Sequence, residues 1–68
     1  SSFLEKEKLM TYLNDYSERV GKSKFKIPFS RNELADFLSV DRSAMSRELS
    51  RLREEGDIRY NKNEFELL

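Results

Sequence analysis

The sequence predicts a mainly α-helical fold, in which three helices are accompanied by a small β-hairpin. Apolar residues recur at helical spacing in three separate stretches. Residues typical of helix starts, Ser30 and Asp41, precede two of these stretches, and two short alternating runs flank an Asn-rich turn near the C-terminus. Because 68 residues leave room for one small core, we predict a single domain over residues 1–68.

The first helix is predicted over about residues 2–20. One apolar stripe at helical spacing supports it, made of Leu9, Leu13, Tyr16 and Val20. Gly21 follows at the position where a left-handed residue commonly ends a helix. In the connector 22–29, apolar residues then alternate with Lys and Pro, which predicts a short strand through Phe25, Ile27 and Phe29 with Pro28 at its edge or end.

The next stretch predicts two helices joined by a tight turn, over about residues 30–55. Ser30 and Glu33 fit a capping box, and the helix they begin has an apolar face made of Leu34, Ala35, Phe37 and Leu38. Residues 39–41 form the turn. Asp41 then caps a longer helix from Arg42 to about Glu55, which Gly56 ends. A short helix, a three-residue turn and a longer helix make a helix-turn-helix.

The C-terminal residues predict a β-hairpin over about residues 57–68. The runs Asp57–Tyr60 and Glu64–Leu68 alternate between polar and apolar residues around the turn Asn61–Asn63. A helix-turn-helix followed by such a hairpin is a winged helix-turn-helix, and we predict that fold here.

The exposed face of the third helix has an unusual composition. On a helical wheel, Met45, Leu49 and Leu52 form the buried stripe. The opposite side carries Ser43, Ser46, Arg47 and Ser50, bordered by Arg42 and Arg51. Solvated helix faces usually carry Glu and Lys pairs instead. The alternative is an ordinary polar face that happens to be rich in Ser.

Short hydroxyl side chains let a helix approach another surface closely, and Arg can donate two hydrogen bonds to guanine or to phosphate. We therefore predict that helix 42–55 lies in the major groove of double-stranded DNA. The predicted base contacts are Arg42, Ser43, Ser46, Arg47 and Ser50. The predicted phosphate contacts are Ser30, Arg31, Arg51 and Lys62, which lie at a helix start, at the border of the face and at the wing tip.

The charge distribution agrees with this prediction, although the whole chain has a net charge of zero. Residues 19–53 hold nine Lys or Arg against four acidic residues, a net charge of +5. The segments before and after are both net acidic. Basic charge is therefore concentrated in the part of the chain that contains the predicted DNA-binding helices.

The combined motifs resemble the C-terminal DNA-binding domain of the Crp/Fnr family of bacterial transcription regulators. The matching patterns are Ser30-Arg31, Leu34-Ala35-x-x-Leu38, Arg42-x-x-x-x-Arg47 and Leu52-x-x-x-Gly56-x-Ile58. The resemblance covers about residues 28–68, and the first helix fits the family's preceding helix by position only.

The resemblance implies roles for individual residues. Arg42, Ser43 and Arg47 stand at base-contacting positions, Ser46 at a further one in the Fnr branch, and Ser30 and Arg31 at phosphate-contacting positions. Three residues depart from the family pattern, which often has Glu at Ser43, usually Gly at Ser39 and an apolar residue at Glu48. We expect Glu48 to pair with Arg51 instead.

The resemblance also implies a longer protein. Family members carry an effector-sensing domain of the cyclic-nucleotide-binding type, form homodimers and contact RNA polymerase. Such a domain is missing from these 68 residues, so we expect the chain to be a fragment of a cytoplasmic regulator. No apolar run approaches the roughly 20 residues of a membrane span.

Two other classes of function compete with DNA binding. An enzyme is not expected, because the chain has no His, no Cys and no Gly-rich phosphate loop, and we expect no cofactor and no metal. A winged-helix module that binds protein is the alternative to DNA binding. It would use an exposed apolar patch, which the first helix offers through Phe3, Leu4 and Tyr12.

Overall fold

The computed structural model describes residues 2–68, and Ser1, the first residue of the predicted domain, lies outside them. The elements in chain order are α1 (Ser2–Val20), β1 (Lys24–Lys26), α2 (Arg31–Leu38), α3 (Arg42–Glu54), β2 (Ile58–Asn61) and β3 (Glu64–Leu67). The helix α3 packs against α1, α2 and β2. The winged helix-turn-helix fold is therefore confirmed, and the ends of α1 and α3 agree with the prediction to within one residue.

The helix boundaries form where the local signals predicted them. The Ser30 hydroxyl oxygen accepts a hydrogen bond from the Glu33 N–H at 3.2 Å, and the Ser30 N–H donates to Glu33 Oε1 at 2.8 Å. Asp41 Oδ2 caps α3 by accepting from the Ala44 N–H at 3.0 Å. Gly21 and Gly56 follow α1 and α3 with φ of 72° and 81°, which is the left-handed conformation that favours glycine.

The turn between α2 and α3 is held from both sides. Ser39 adopts φ 58° and ψ 47°, and its N–H donates to the Asp36 carbonyl at 3.1 Å. The Val40 N–H donates to the Ala35 carbonyl at 3.0 Å. From α1, Lys8 Nζ donates to the Ser39 carbonyl at 3.4 Å. These bonds fix the point at which the chain changes direction toward α3.

The sheet has three strands rather than the two of a simple hairpin. The strand order is β1-β3-β2 with both pairings antiparallel, and Phe65 stands opposite both Phe25 and Tyr60. The predicted connector strand therefore exists, but it ends at Lys26 and does not reach Phe29. The hairpin turn is also tighter than predicted, since Asn61 belongs to β2 and pairs with Glu64, the first residue of β3.

The core lies between the three helices and the inner face of the sheet. Its buried apolar residues are Leu9, Leu13, Phe25, Ile27, Leu34, Ala35, Met45, Leu49, Leu52, Ile58 and Phe65.

Two residues that were predicted to lie on buried apolar helix faces are instead exposed. Val20, the last residue of α1, is 43% exposed because the chain turns away at Gly21, and Phe37 is 59% exposed because it lies against Tyr12 and Phe29 rather than in the core. Among residues 2–68, no helix is long and apolar enough to cross a membrane.

Candidate nucleic-acid interface

The two faces of α3 divide as the helical wheel predicted. Met45, Leu49 and Leu52 are buried at 1% exposure or less. The opposite face is solvent-accessible, with Arg42, Ser43, Ser46, Arg47 and Arg51 exposed and Ser50 half-buried. Between Arg42 and Arg51 the helix has one acidic residue, Glu48, and it is only 2% exposed. The exposed part of this stretch is therefore free of carboxylates.

Glu48 is a buried charge at the edge of this face. Its Oε1 lies 3.6 Å from Nη1 of Arg51, which confirms the predicted i,i+3 pair. Its Oε2 is buried and has no hydrogen-bond partner in the described structure. The pairing was predicted from spacing, whereas the burial was not, because spacing does not show how closely other elements cover that side of the helix.

Ser30 presents a hydroxyl group at the N-terminus of α2. Its oxygen accepts the capping hydrogen bond from Glu33, while its O–H remains able to donate to another group. The residue is exposed. A helix N-terminus attracts anions because its first N–H groups and the helix dipole both favour negative charge there.

Arg31, the next residue, faces the wing rather than open solvent. Its Nη2 donates to the Lys62 carbonyl at 2.6 Å, and its Nη1 is buried with no hydrogen-bond partner in the part of the chain that the structure describes. The guanidinium carbon lies 5.1 Å from the Phe65 ring centre and 5.5 Å from that of Tyr60. Burial lowers the pKa of Arg31, the nearby charge of Arg42 lowers it further, and Tyr60 opposes the shift.

A second arginine, Arg53, contacts the same ring of the wing and is not among the predicted site residues. The guanidinium carbon of Arg53 lies 4.7 Å from the Tyr60 ring centre, on the α3 side. Tyr60 in turn stacks on Phe65, with ring centres 5.7 Å apart. This aromatic pair therefore joins the wing to both helices of the helix-turn-helix. The feature of the sequence that could have indicated this contact is the pair of aromatic residues, Tyr60 and Phe65, on opposite strands of the predicted hairpin.

Lys62 lies at the tip of the wing, as predicted. It is exposed and adopts φ 55°, and its carbonyl is the group to which Arg31 donates. The structure thus connects two of the predicted phosphate-contacting residues through a direct hydrogen bond. Their contacts with DNA remain predictions.

A separate aromatic cleft of about 670 Å³ lies between α1 and α2. Tyr12 is at its centre, with ring centres 5.6 Å from Phe37, 6.0 Å from Tyr16 and 6.1 Å from Phe29. Burial raises the pKa of Tyr12, Tyr16 adds to the shift and Arg19 opposes it. The predicted apolar patch of the first helix is thus divided, because Phe3 and Leu4 are exposed whereas Tyr12 is half-buried in this cleft.

A protein-family model described as the Crp-like helix-turn-helix domain matches residues 7–68. The chain belongs to this family. The match begins at residue 7, within α1. Most of the first helix of this Crp-like domain therefore belongs to the matched family unit, which extends further toward the N-terminus than the motifs over residues 28–68. Neither a search of curated proteins nor a search of solved structures returned a match to the chain. Membership supports DNA binding within a transcription regulator as the general function of the domain.

Proposed function

We propose that this Crp-like domain recognises specific sequences of double-stranded DNA and that α3 enters the major groove. The observation that carries the proposal is the exposed face of α3 between Arg42 and Arg51. It combines short hydroxyl side chains with arginines, and its one carboxylate, Glu48, is buried. A face without exposed negative charge can approach a polyanion, and small side chains let the helix backbone come close to the base edges.

The base contacts proposed on this face are Arg42, Ser43, Ser46, Arg47 and Ser50. Arg42 and Arg47 would donate paired hydrogen bonds to guanine O6 and N7, and the serines would contact bases at shorter reach. Ser43 stands where the family often has Glu. A hydroxyl group does not provide the carboxylate acceptor that suits cytosine N4, so we expect a base preference at this position that differs from family members with Glu.

Phosphate contacts are proposed on both sides of α3. Ser30 would donate from the N-terminus of α2, Lys62 would contact a neighbouring phosphate from the wing tip, and Arg51 would contact the backbone at the border of the face. Arg31 stands at the same end of α2, but in the structure its guanidinium is engaged with the wing.

We further propose that the domain acts in a cytoplasmic regulator that binds DNA as a homodimer and contacts RNA polymerase, as the family resemblance implies. Two copies would place their α3 helices in successive major grooves, about 34 Å apart along the DNA. A single copy would then bind weakly, because joining two modules raises the effective concentration of the second.

Selection from a pool of random duplexes tests the proposal. The domain should enrich a particular sequence, and fluorescence anisotropy should show tighter binding to that duplex than to a scrambled one. Affinity for both should fall between about 50 and 200 mM salt, because each phosphate contact releases counterions. Absence of enrichment together with absence of binding at the lower salt concentration would overturn the proposed function.

The aromatic cleft between α1 and α2 favours a second candidate function, as a protein-binding module. Tyr12, Phe29 and Phe37 form a concave surface of a kind that accommodates apolar groups of a partner. This candidate predicts that the α1–α2 cleft, and not α3, carries the binding activity. Substitution of Phe37 by Ala would then abolish partner binding, whereas DNA binding predicts no effect of that change on duplex affinity.

A further inference from the structure

We propose that Arg31 is a positioning residue that fastens the tip of the wing to the N-terminus of α2. Through this contact it would set the place at which Lys62 meets the DNA backbone. The fastening of the wing follows from the structure of the free domain. Its consequence for DNA binding rests on the proposed function, and the two parts are tested separately below.

The first observation is a hydrogen bond that connects two distant parts of the chain. Arg31 Nη2 donates to the carbonyl of Lys62, 31 positions further along, at 2.6 Å. Lys62 adopts φ 55°, which is uncommon outside Gly and Asn. A charged donor at short distance therefore holds the carbonyl of the residue that forms the turn.

The second observation is the contact of the same guanidinium with the rings of the wing. Its carbon lies 5.1 Å from the centre of Phe65 and 5.5 Å from that of Tyr60. Phe65 is 1% exposed and belongs to the core. A planar guanidinium can cover aromatic rings and donate from its edge at the same time, which an ammonium group cannot do. Arg31 is thus anchored to the rigid part of the wing as well as to its tip.

The third observation concerns the two terminal nitrogens of Arg31 in the free domain, of which one is hydrogen-bonded to the wing and the other is buried with no hydrogen-bond partner among the described residues. Nη2 donates to Lys62, and Nη1 is buried. A paired contact from these two nitrogens to one phosphate would require both atoms to leave their present places. A positioning role and a direct phosphate contact therefore predict different results for the same substitutions.

Amide hydrogen exchange of the domain without DNA tests the fastening. The Ile27 N–H, which donates to the Asn63 carbonyl at 2.9 Å, reports on the wing turn together with the amides of β2 and β3. In Arg31→Ala these amides should exchange roughly five- to tenfold faster, the change expected when one net hydrogen bond is lost. Arg31→Lys keeps the charge but not the planar guanidinium group, so the same wing amides should also exchange faster in this variant than in the unchanged domain.

Arg59→Ala is the matched control for this experiment. Arg59 lies in the same wing, is exposed and pairs with Glu66 at 3.7 Å, so its removal changes the net charge equally without touching the Arg31 contacts. Exchange rates in Arg31→Ala and Arg31→Lys that equal those of Arg59→Ala would overturn the fastening. Arg31→Lys decides the question if Arg31→Ala fails to fold by circular dichroism.

A double-mutant cycle on duplex DNA tests the consequence for binding. Lys62→Ala should weaken the binding of the otherwise unchanged domain and reduce the salt slope by about 0.9, the value for one phosphate contact. The same change should have a much smaller effect in an Arg31→Ala or Arg31→Lys background, because Lys62 is no longer held in place. Additive effects, or full affinity in Arg31→Lys, would overturn the positioning role in DNA binding. If the unchanged domain binds no duplex, the proposed function fails, and the exchange experiment alone decides whether Arg31 fastens the wing.

Discussion

Arg47 is the residue whose removal should change sequence preference most clearly. It lies in the middle of the exposed face of α3, where a side chain that donates to guanine would meet a base edge. We expect Arg47→Ala to weaken binding to the selected duplex by roughly 1–3 kcal/mol and to flatten the preference at one base position. Anisotropy titrations against a panel of single-base variants would measure both effects, with Arg59→Ala as a control of equal charge change. An equal loss on every duplex would make Arg47 a phosphate contact instead.

Glu48 is the residue at which we expect a substitution to preserve or increase stability. One of its carboxylate oxygens pairs with Arg51 at 3.6 Å, and the other is buried with no hydrogen-bond partner within residues 2–68. A buried charge that is incompletely compensated costs free energy, and an apolar residue of similar size often replaces it without loss. Glu48→Leu should therefore raise the free energy of unfolding by about 1 kcal/mol in urea titrations.

Glu54→Leu, at an exposed position of the same helix, is the control and should change stability by less than about 0.5 kcal/mol. A loss of more than about 1 kcal/mol in Glu48→Leu would show that the carboxylate stabilises the fold through its surroundings.

At the scale of residues, the sequence predicted which side chains of α3 are exposed but not where Arg31 points. A helical wheel gives directions around one axis, so it separates Met45 and Leu49 from Ser46 and Arg47 correctly. Arg31 is directed by a carbonyl and two rings that follow about 30 positions later. Contacts of that kind depend on the tertiary arrangement, which spacing along the chain does not describe.

At the scale of elements, the turn between α2 and α3 offers a direct test of backbone strain. Ser39 has φ 58°, a conformation that costs a residue with a Cβ atom about 1 kcal/mol relative to Gly. We expect Ser39→Gly to raise the melting temperature by roughly 4–8 °C, the shift that 1 kcal/mol produces in a domain of this size. Calorimetry would measure it.

Asn14→Gly is the control for the turn experiment, because Asn14 lies exposed inside α1 and a glycine there should lower stability by a few tenths to 1 kcal/mol. If Ser39→Gly lowers the melting temperature as Asn14→Gly does, Ser39 makes an interaction that outweighs the strain at its φ angle.

The helices could be predicted closely because their boundary signals are local. Ser30 with Glu33, Asp41 and Gly56 each act within one helical turn, and each is found in the predicted role. The three-stranded sheet could not be predicted in full. Lys24–Lys26 is only three residues long and pairs with Glu64–Glu66, about 40 positions later, so its partner has no local signature.

At the scale of the whole molecule, contacts between arginines and an aromatic ring bring the start of α2, the helix α3 and the wing together. The net charge of zero concealed a basic middle segment, and the fold brings part of that segment, at Arg31 and Arg53, against Tyr60 of the wing. The aromatic cleft between α1 and α2 is a different surface, formed without α3. DNA binding and protein binding therefore predict contacts on different surfaces, DNA at α3 and the wing, and a protein partner at the α1–α2 cleft.

We propose that α3, with the start of α2 and the tip of the wing, contacts DNA. The most direct test is a ¹⁵N heteronuclear correlation titration of the domain with a mixed-sequence duplex at low salt. If these elements contact DNA, the largest amide shifts fall in residues 42–51, at Ser30 and Arg31, and at Lys62, and the shifts diminish as salt rises. Shifts confined to the cleft residues Tyr12, Phe29 and Phe37, or no shifts at low salt, would contradict it.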